Sequence, residues 1–574
     1  MKQAIVVVPL FLLLLTILYL LIPVSPEKIS HESLISPDAQ VVLTQYDLKD
    51  RVAEFSSSPL GHAIADLRYD IVGKELGMTD EEINHFQQLK QEIINTYQNP
   101  LVQMLIGREI SVALFPFVQE EPGEFVRQLS DHLLLVSRPG QNRRMMDVAT
   151  WAISSDERIT TVHYGVHAIT RFELEDNRRL SVARVRDLVV MSLNEQILRN
   201  SLDLYDGDQQ GLRENEEYLS KIDQFDGASF IGYFNFDGLP DLINSAILNT
   251  ATADAQVRLL DNKQMEAYSS AIFGAWREED TIMDKAVISI RPELLDDHSR
   301  SVFSIQGALP QSHTRIAPDT IVYHWSNQFN PETLITMIGG ESSGSGTSSE
   351  LPLLGDLAQI TGLTPPQLFN LFDNELTVAV RGINENQLVP LPRFLLAVKS
   401  GEMETLKEAV NKLIDHYSIP VRRKTIEKAE IISWGGIIGI SSVLPTLSFT
   451  DESVIISSSR EQIRKYIDPQ RLQSLADNPS FKKMSATLLK PSNSITFFDF
   501  ARTAEMLQEM VSWGGTMLAL KDRELARKSK VLIDDLINPL LEGLAMYSII
   551  GSRKYHDGNT IVLESFTRLD NGTQ

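Results

Sequence analysis

Four side chains in one short segment have the types and the spacing that could hold a calcium ion. Asp206, Asp208, Gln210 and Glu217 stand at positions 1, 3, 5 and 12 of a loop whose sixth residue is Gly211. Calcium loops take carboxylate and amide oxygens at such positions, and glycine permits the sharp turn at the sixth. Glutamine is a weak ligand at the fifth position, however. Two interpretations therefore stay open: a calcium loop, or an acidic turn between two helices.

A serine motif and a histidine pair complete the residues that could do chemistry. The run GESSG at Gly340–Gly344 has the pattern of a hydrolase nucleophile, but that nucleophile needs a strand before it and a helix after it. Here the run is rich in glycine and serine and follows a helix-like segment, which predicts a loop. His163 and His167 lie in a segment that alternates like strands. Along a strand their rings would be roughly 13 Å apart, so we expect no shared metal ion.

The composition excludes several classes of site and partner. The 574 residues include no cysteine, which rules out disulfides, thiolate metal sites and cysteine nucleophiles. The chain has 53 lysines and arginines against 76 acidic residues, a net charge of −23. Such an acidic chain is a poor partner for nucleic acid or for anionic lipid surfaces.

The elements that must position these residues occur twice. Ile35–Val42 (ISPDAQVV) returns as Ile316–Tyr323 (IAPDTIVY), and Leu105–Leu114 returns as Leu371–Val380. Three further pairs of segments follow in the same order. Glu195-Gln196-Ile197, for example, returns as Glu461-Gln462-Ile463. The order predicts a duplicated domain.

The repeated segments also show the alternation of strands. Ile110, Val112 and Leu114 alternate with Ser111 and Ala113, a pattern typical of a strand with one buried face. We therefore expect the three larger residues to face the core. Their counterparts in the second copy have the same phase, and a slip of one residue would turn the wrong face inward.

Strands joined in some places by turns and in others by helices indicate the α+β class. The predicted architecture is two tandem similar domains, at 37–315 and 316–570. Each is a mainly antiparallel sheet with helices packed on it.

An apolar run opens the chain and predicts a membrane helix. It extends from Ala4 to Val24 behind Lys2, and about 20 apolar residues can cross a bilayer as a helix. We predict a signal anchor at 1–25, followed by a linker at 26–36. The alternative is a cleaved signal peptide, but no small-x-small cleavage site follows. The charge pattern predicts a cytoplasmic N-terminus and an inner membrane protein whose bulk is extracytoplasmic, or periplasmic.

Several short segments resemble an uncharacterised bacterial family, domain of unknown function 3352. They are Ser58-Pro59-Leu60-Gly61, the strand Glu109–Leu114, Tyr164–Ile169 and Leu475–Phe481. The resemblance covers nearly all of the chain after the anchor. It implies a membrane-anchored protein with a duplicated extracytoplasmic region, and it brings no activity, cofactor or catalytic residue.

Duplication without a shared catalytic constellation favours a non-enzymatic binding or scaffold protein. We expect a partner in the envelope or a hydrophobic ligand, no nucleic acid, and no cofactor apart from the calcium ion considered above. The alternative is an envelope hydrolase with carboxylates at an inter-domain cleft, where one acid would need a raised pKa.

Overall fold

The computed structural model describes residues 29–98, 108–117, 125–139, 159–174, 178–207, 209–250, 265–331, 352–383, 390–426, 429–435, 445–469 and 473–570. The predicted anchor, Asp208 and the Gly340–Gly344 motif lie outside these residues. None of the helices that the structure describes combines the length and the apolar composition needed to cross a membrane.

The chain forms two compact units. The first contains the described residues up to Ser57, those of Asp80–Arg277, and Asp284–Leu295. The second contains Ser58–Thr79, Glu278–Met283 and the described residues from Asp296 onward. The predicted ranges 37–315 and 316–570 refer to a sequence repeat, and they stay a prediction.

The first unit has an antiparallel sheet. Its strands are β1 (Val41–Tyr46), β2 (Glu109–Leu114), β3 (Leu133–Arg138), β4 (Ile159–Tyr164), β5 (His167–Glu173), β6 (Arg179–Val185), β7 (Leu188–Ser192), β8 (Phe230–Asn235) and β9 (Tyr268–Glu278). A tenth strand, β10 (Thr281–Ile290), pairs with β9. The order across the sheet is β9–β8–β1–β2–β3–β7–β6–β5–β4.

The second unit also has an antiparallel sheet. Its strands are β11 (Thr320–Ser326), β12 (Leu376–Arg381), β13 (Arg393–Lys399), β14 (Val421–Ile426), β15 (Ala429–Trp434), β16 (Thr446–Phe449), β17 (Ser453–Ser457), β18 (Ser494–Asp499), β19 (Tyr547–Asp557) and β20 (Thr560–Leu569). The order is β20–β19–β18–β11–β12–β13–β17–β16–β15–β14.

Helices alternate with these strands along the chain. In order they are α1 (Leu48–Ser56), α2 (Pro59–Asp66), α3 (Tyr69–Glu75), α4 (Asp80–Gln98), α5 (Phe125–Asp131), α6 (Glu195–Asp206), α7 (Glu216–Ile222), α8 (Leu239–Thr250), α9 (Asp297–Phe303), α10 (Pro352–Thr361), α11 (Pro365–Phe369), α12 (Met403–His416), α13 (Arg460–Ile467), α14 (Pro479–Leu488), α15 (Phe500–Lys521), α16 (Arg523–Leu532) and α17 (Asn538–Leu544). Mixed helices and antiparallel sheets place the fold in the predicted α+β class.

The buried face of β2 differs from the expectation. Ser111 and Ala113 are fully buried, whereas Ile110 and Val112 are only half-buried. The prediction that the larger residues face the core was therefore wrong for these two. The Ser111 hydroxyl bonds the Thr44 hydroxyl at 2.9 Å, so a polar pair is satisfied on the more buried side. β12 has the same phase, with its Thr377 and Ala379 buried.

The segment 29–36, part of the predicted linker, packs into the first unit. Leu34 and Ile35 are fully buried, and a 3₁₀ turn over His31–Leu34 orients their neighbours. The Ser201 hydroxyl of α6 donates to the Leu34 carbonyl at 2.5 Å. This contact holds the segment against the helix that lines the pocket described next.

Candidate functional site

A pocket of about 920 Å³ opens in the first unit beside α6 and the segment that leads into β1. Its lining is rich in side-chain amides, which carry both donors and acceptors. Those amides are Gln40, Asn194, Gln196, Asn200, Gln209, Asn215 and Asn235. Three carboxylates, Asp38, Asp203 and Asp237, also line it, together with apolar groups such as Leu34 and Phe115. This lining suits a ligand with several hydrogen-bonding groups.

Helix caps fix several of these amides. Asn194 precedes α6, and its side-chain oxygen accepts from the Gln196 backbone N–H at 3.0 Å. Asn215 caps α7 by accepting from the Tyr218 N–H at 3.1 Å, and it donates to the Pro37 carbonyl at 3.0 Å. Capping oxygens satisfy backbone donors that a helix leaves unpaired. Two of the amides that line the pocket therefore also cap the N-termini of the neighbouring helices α6 and α7.

Gln40 lies deepest among the amides, with 6% of its surface exposed. Its Nε2 donates to the Asp237 carbonyl at 3.2 Å. Its Oε1 is buried and accepts no hydrogen bond within the described chain. Gly238 has a φ of +78°, and a Cβ there would lie 2.8 Å from the Gln40 Nε2. The glycine thus leaves room for an amide that retains a free acceptor.

A buried ionic network lies beside a second cavity of the same unit, with a volume of about 760 Å³. Glu109 at the start of β2 accepts from His31 Nδ1 and, at 2.7 Å, from the Arg138 Nε. Arg138 also pairs with Asp187. Its remaining Nη2 donates to the Ile29 carbonyl at 2.7 Å. These bonds attach the N-terminal segment to the sheet.

Two carboxylates of this cavity, Glu109 and Glu32, are held in the ionised form. Burial would raise the pKa of Glu109, but the hydrogen bonds and charges of His31 and Arg138 outweigh it and lower the pKa to about 2. Burial acts the same way on Glu32, and hydrogen bonds from Tyr218 and Arg213 leave its pKa lowered. A general acid needs the opposite shift. The lowered pKa values therefore favour a structural role for this network.

The predicted calcium ligands have other partners in the structure. Asp206 ends α6, and its Oδ1 lies 2.9 Å from the His167 Nε2. Glu217 lies in the first turn of α7 and accepts from the Lys221 Nζ at 2.6 Å and the Ser270 hydroxyl at 2.9 Å. Gln210 is exposed. The described residues contain no group of three or more His, Asp or Glu side chains that could hold a metal. The calcium loop stays a prediction.

The histidine pair lies on a hairpin rather than on one strand. His163 is on β4 and His167 on β5, and they pair with Ala168 and Tyr164 respectively. His163 is exposed while His167 is buried, so the two rings take different environments. Neighbouring pairs of an antiparallel ladder point to opposite faces, which explains why these histidines do not converge.

A pocket of about 530 Å³ lies in the second unit. Pro318, Asp319 and Gln462 line it. In the repeated sequence these residues correspond to Pro37, Asp38 and Gln196, which line the pocket of the first unit. The segments that repeat most clearly in sequence are thus the segments that line both pockets.

The family model described as a protein of unknown function (DUF3352) matches residues 102–528, which is more than half of the chain. The chain belongs to this family. The resemblance seen in the short sequence motifs is confirmed. Among curated proteins, none matches this DUF3352 member.

Three solved structures of TP0453 are similar to this DUF3352 member at low levels. Crystal forms III, IV and I have 8%, 7% and 9% sequence identity, each with a TM-score of 0.23. Each covers 46% of this chain, and the match covers 80%, 81% and 79% of TP0453. At this TM-score the similarity supports no conclusion about fold or function.

Sequence reasoning missed both pockets of this DUF3352 member. Their signal was present in the repeat itself, since a Pro-Asp pair and a helical Glu-Gln-Ile recur together. What the repeat alone could not supply was the distance between the two segments. In the first unit the Asn215 side chain, which belongs to neither segment, donates to the Pro37 carbonyl at 3.0 Å, and Ser201 of α6 donates to the Leu34 carbonyl at 2.5 Å.

Proposed function

We propose that this protein is a membrane-anchored, extracytoplasmic binding protein made of two copies of one α+β unit, each with its own ligand pocket. The observation that carries the proposal is the pair of pockets lined by corresponding residues of the repeat. Pockets are concave sites with a few placed polar groups, and both cavities fit that description.

The strand orders support the duplication. In the first unit the order β8–β1–β2–β3–β7–β6–β5–β4 has the same connections as β18–β11–β12–β13–β17–β16–β15–β14 in the second. Shared order across eight strands is the pattern that a copied domain leaves. The anchor is supported by the apolar run from Ala4 to Val24.

The lining of the first pocket favours a polar ligand over the hydrophobic one expected from the sequence. Seven amides line it, and the buried Gln40 Oε1 is ready to accept a hydrogen bond. A purely apolar ligand would leave such groups without partners, which costs about 1–3 kcal/mol for each buried group.

The hydrolase alternative has less support. Among the described acids, Asp284 and Asp499 have pKa values raised by burial. Neither lines any of the cavities described above. Asp499 instead caps α15, where its Oδ1 accepts from the Arg502 backbone N–H at 3.3 Å. We therefore propose a binding role without catalysis.

Native mass spectrometry of the full-length protein tests the ligand, and Asn200→Leu is the informative variant. Asn200 lines the first pocket, so the substitution removes an amide without touching the core. We expect a co-purifying mass in the parent protein that Asn200→Leu loses. Gln210→Leu is the matched control, since Gln210 is exposed and not among the residues lining that pocket. An apo mass for the parent would refute the ligand.

Membrane attachment has its own test. Alkaline washing of membranes should leave the full-length protein in the pellet and release a version that lacks residues 1–25. Release of both would contradict the anchor.

A further inference from the structure

The pocket of the second unit is surrounded by basic side chains. Arg315, Arg381 and Lys465 line it, and Arg393 lies next to it on β13. Asp319 and Glu461 are the two carboxylates that line it. A positive pocket is unexpected in a chain whose net charge is −23, because scattered surface charge would make most cavities acidic.

Asp319 is shared between two arginines. Its Oδ2 accepts from the Arg381 Nη2 at 2.6 Å and lies 3.5 Å from the Arg393 Nη2. The side chains of Arg381 and Arg393 are only 11% and 15% exposed. The Nε atoms of both are buried and have no acceptor within the described chain, and the Asp319 Oδ1 is likewise unpartnered. The single carboxylate of Asp319 therefore lies near two guanidinium groups and leaves part of their hydrogen-bonding capacity unsatisfied.

Lys465 adds a third buried cation. The residue is 6% exposed, and its ammonium group has no hydrogen-bond or ion-pair partner in the part of the chain that the structure describes. Burial, and after it the charge of Arg381, lowers the pKa of Lys465 against the opposing charges of Asp319, Asp477 and Glu461. Burial and the same charge lower the pKa of Arg393. In both cases burial is the largest cause, and the charge of Arg381 acts in the same direction.

The corresponding positions of the first unit lack this charge. Leu34, Phe115 and His132 line the first pocket at the places that Arg315, Arg381 and Arg393 take in the second. Arg199, the counterpart of Lys465, is neutralised by Glu195 at 2.6 Å. A shared structural need would have placed cations in both units.

We propose that the pocket of the second unit binds a small ligand through an oxyanion, a carboxylate or phosphate group, held by Arg381 and Lys465. This inference rests on the proposed binding function and names the ligand class for one unit. Guanidinium groups match carboxylate and phosphate geometry, and an ammonium adds a point charge. Ile316, Ala379 and Leu395 line the same pocket and offer an apolar surface to the rest of the ligand.

Isothermal titration of the full-length protein with inorganic phosphate and with hexanoate tests the proposal. We expect one of these probes to bind at one site per chain, more weakly as sodium chloride is raised. The stronger probe distinguishes a phosphate from a carboxylate ligand. Lys465→Met should weaken binding by at least about tenfold, the loss of one charge-assisted contact.

Two controls keep the test interpretable. Lys483→Met removes an exposed lysine of α14 outside the pocket and should leave binding unchanged. Lys465→Met should melt at the parent temperature or above it, because removing an unpaired buried cation relieves its desolvation. If it melts lower, Lys465→Gln takes its place in the titration.

Binding of neither probe to the parent, or equal binding to the parent and the Lys465 variant, would overturn the oxyanion site. The proposed binding function would survive that result if Asn200→Leu still removed a co-purifying mass. It would fall separately if the parent protein carried no ligand at all.

Discussion

Replacing Glu109 with glutamine tests the buried ionic network of the first unit. The Glu109 side chain is 10% exposed and pairs with His31 and Arg138. Its pKa falls from 4.5 to about 2 in the folded protein. The difference of roughly 2.5 units, at 1.36 kcal/mol for each unit, corresponds to about 3 kcal/mol of folding free energy. Glu109→Gln should remove stability of that order at neutral pH.

The effect has a definite dependence on pH. Because the folded-state pKa is lowered, the ionised Glu109 stabilises the fold fully above about pH 4.5, and this contribution is lost as the pH falls toward 2. The parent and Glu109→Gln should therefore differ most near neutral pH and converge as the pH approaches 2. Glutamine cannot titrate, so its own stability lacks this contribution.

Glu375 supplies the matched control in the second unit. It corresponds to Glu109 in the repeat, but its side chain is 27% exposed and pairs with Lys399, which is 42% exposed. Half-exposed pairs contribute about 1 kcal/mol or less, so Glu375→Gln should change stability little.

Hydrogen exchange with mass spectrometry is the suitable assay, because peptides from β2 and β12 report on each unit separately. Equal losses for the two variants, or a Glu109→Gln effect that did not change with pH, would refute the assignment of the low pKa to this network.

Three further predictions follow from close contacts and from the predicted calcium loop. Gly211→Ala should destabilise the first unit strongly, because φ at Gly211 is +59° and an added Cβ would lie 2.2 Å from a backbone oxygen. The control is Gly227→Ala, where φ is +73° and an added Cβ meets nothing within 4 Å. In thermal melting this control should lower the stability by only about 1 kcal/mol. Gly543→Ala should increase the hydrogen exchange of α2, because an added Cβ would lie 2.9 Å from atoms of that helix. Gly514→Ala, where an added Cβ on α15 meets nothing within 4 Å, should instead stabilise its helix by up to about 1 kcal/mol. Thermal melting in calcium and in chelator should give the same midpoint, since Glu217 already binds Lys221. A higher melting temperature in calcium would support the predicted calcium loop.

Most of the secondary structure could be predicted from the sequence, but the buried face of a strand could not. The alternation of Ile110 and Val112 with Ser111 and Ala113 predicted a strand correctly. It predicted the wrong buried face because we assumed that the larger side chains of the alternating pattern are the buried ones. In β2 the face with the small side chains is the more buried face, and there Thr44 and Ser111 share a hydrogen bond. Which face a helix and an N-terminal segment will cover depends on tertiary contacts.

The pockets were harder to predict from the sequence than the strands. The contact between Gln40 and Asp237 joins residues 197 positions apart, and that between Asn215 and Pro37 joins residues 178 apart. No local pattern encodes such distances. The calcium spacing is a local pattern and stays a prediction; in the structure Asp206 contacts His167 and Glu217 contacts Lys221.

Under the proposed duplication, the contrast between the two pockets is a divergence of the two copies. Pro37 and Asp38 share their place with Pro318 and Asp319, so the backbone support of the two pockets follows the same plan. The side chains around that support changed from Phe115 to Arg381, a replacement of an apolar ring by a buried cation. Asp319 pairs with Arg381, but the buried Arg381 Nε has no acceptor in the described chain, and a buried charge is costly unless its hydrogen bonds are satisfied. Two ligands of different charge would account for both linings, and each pocket should therefore be altered separately in the full-length protein and assayed for binding.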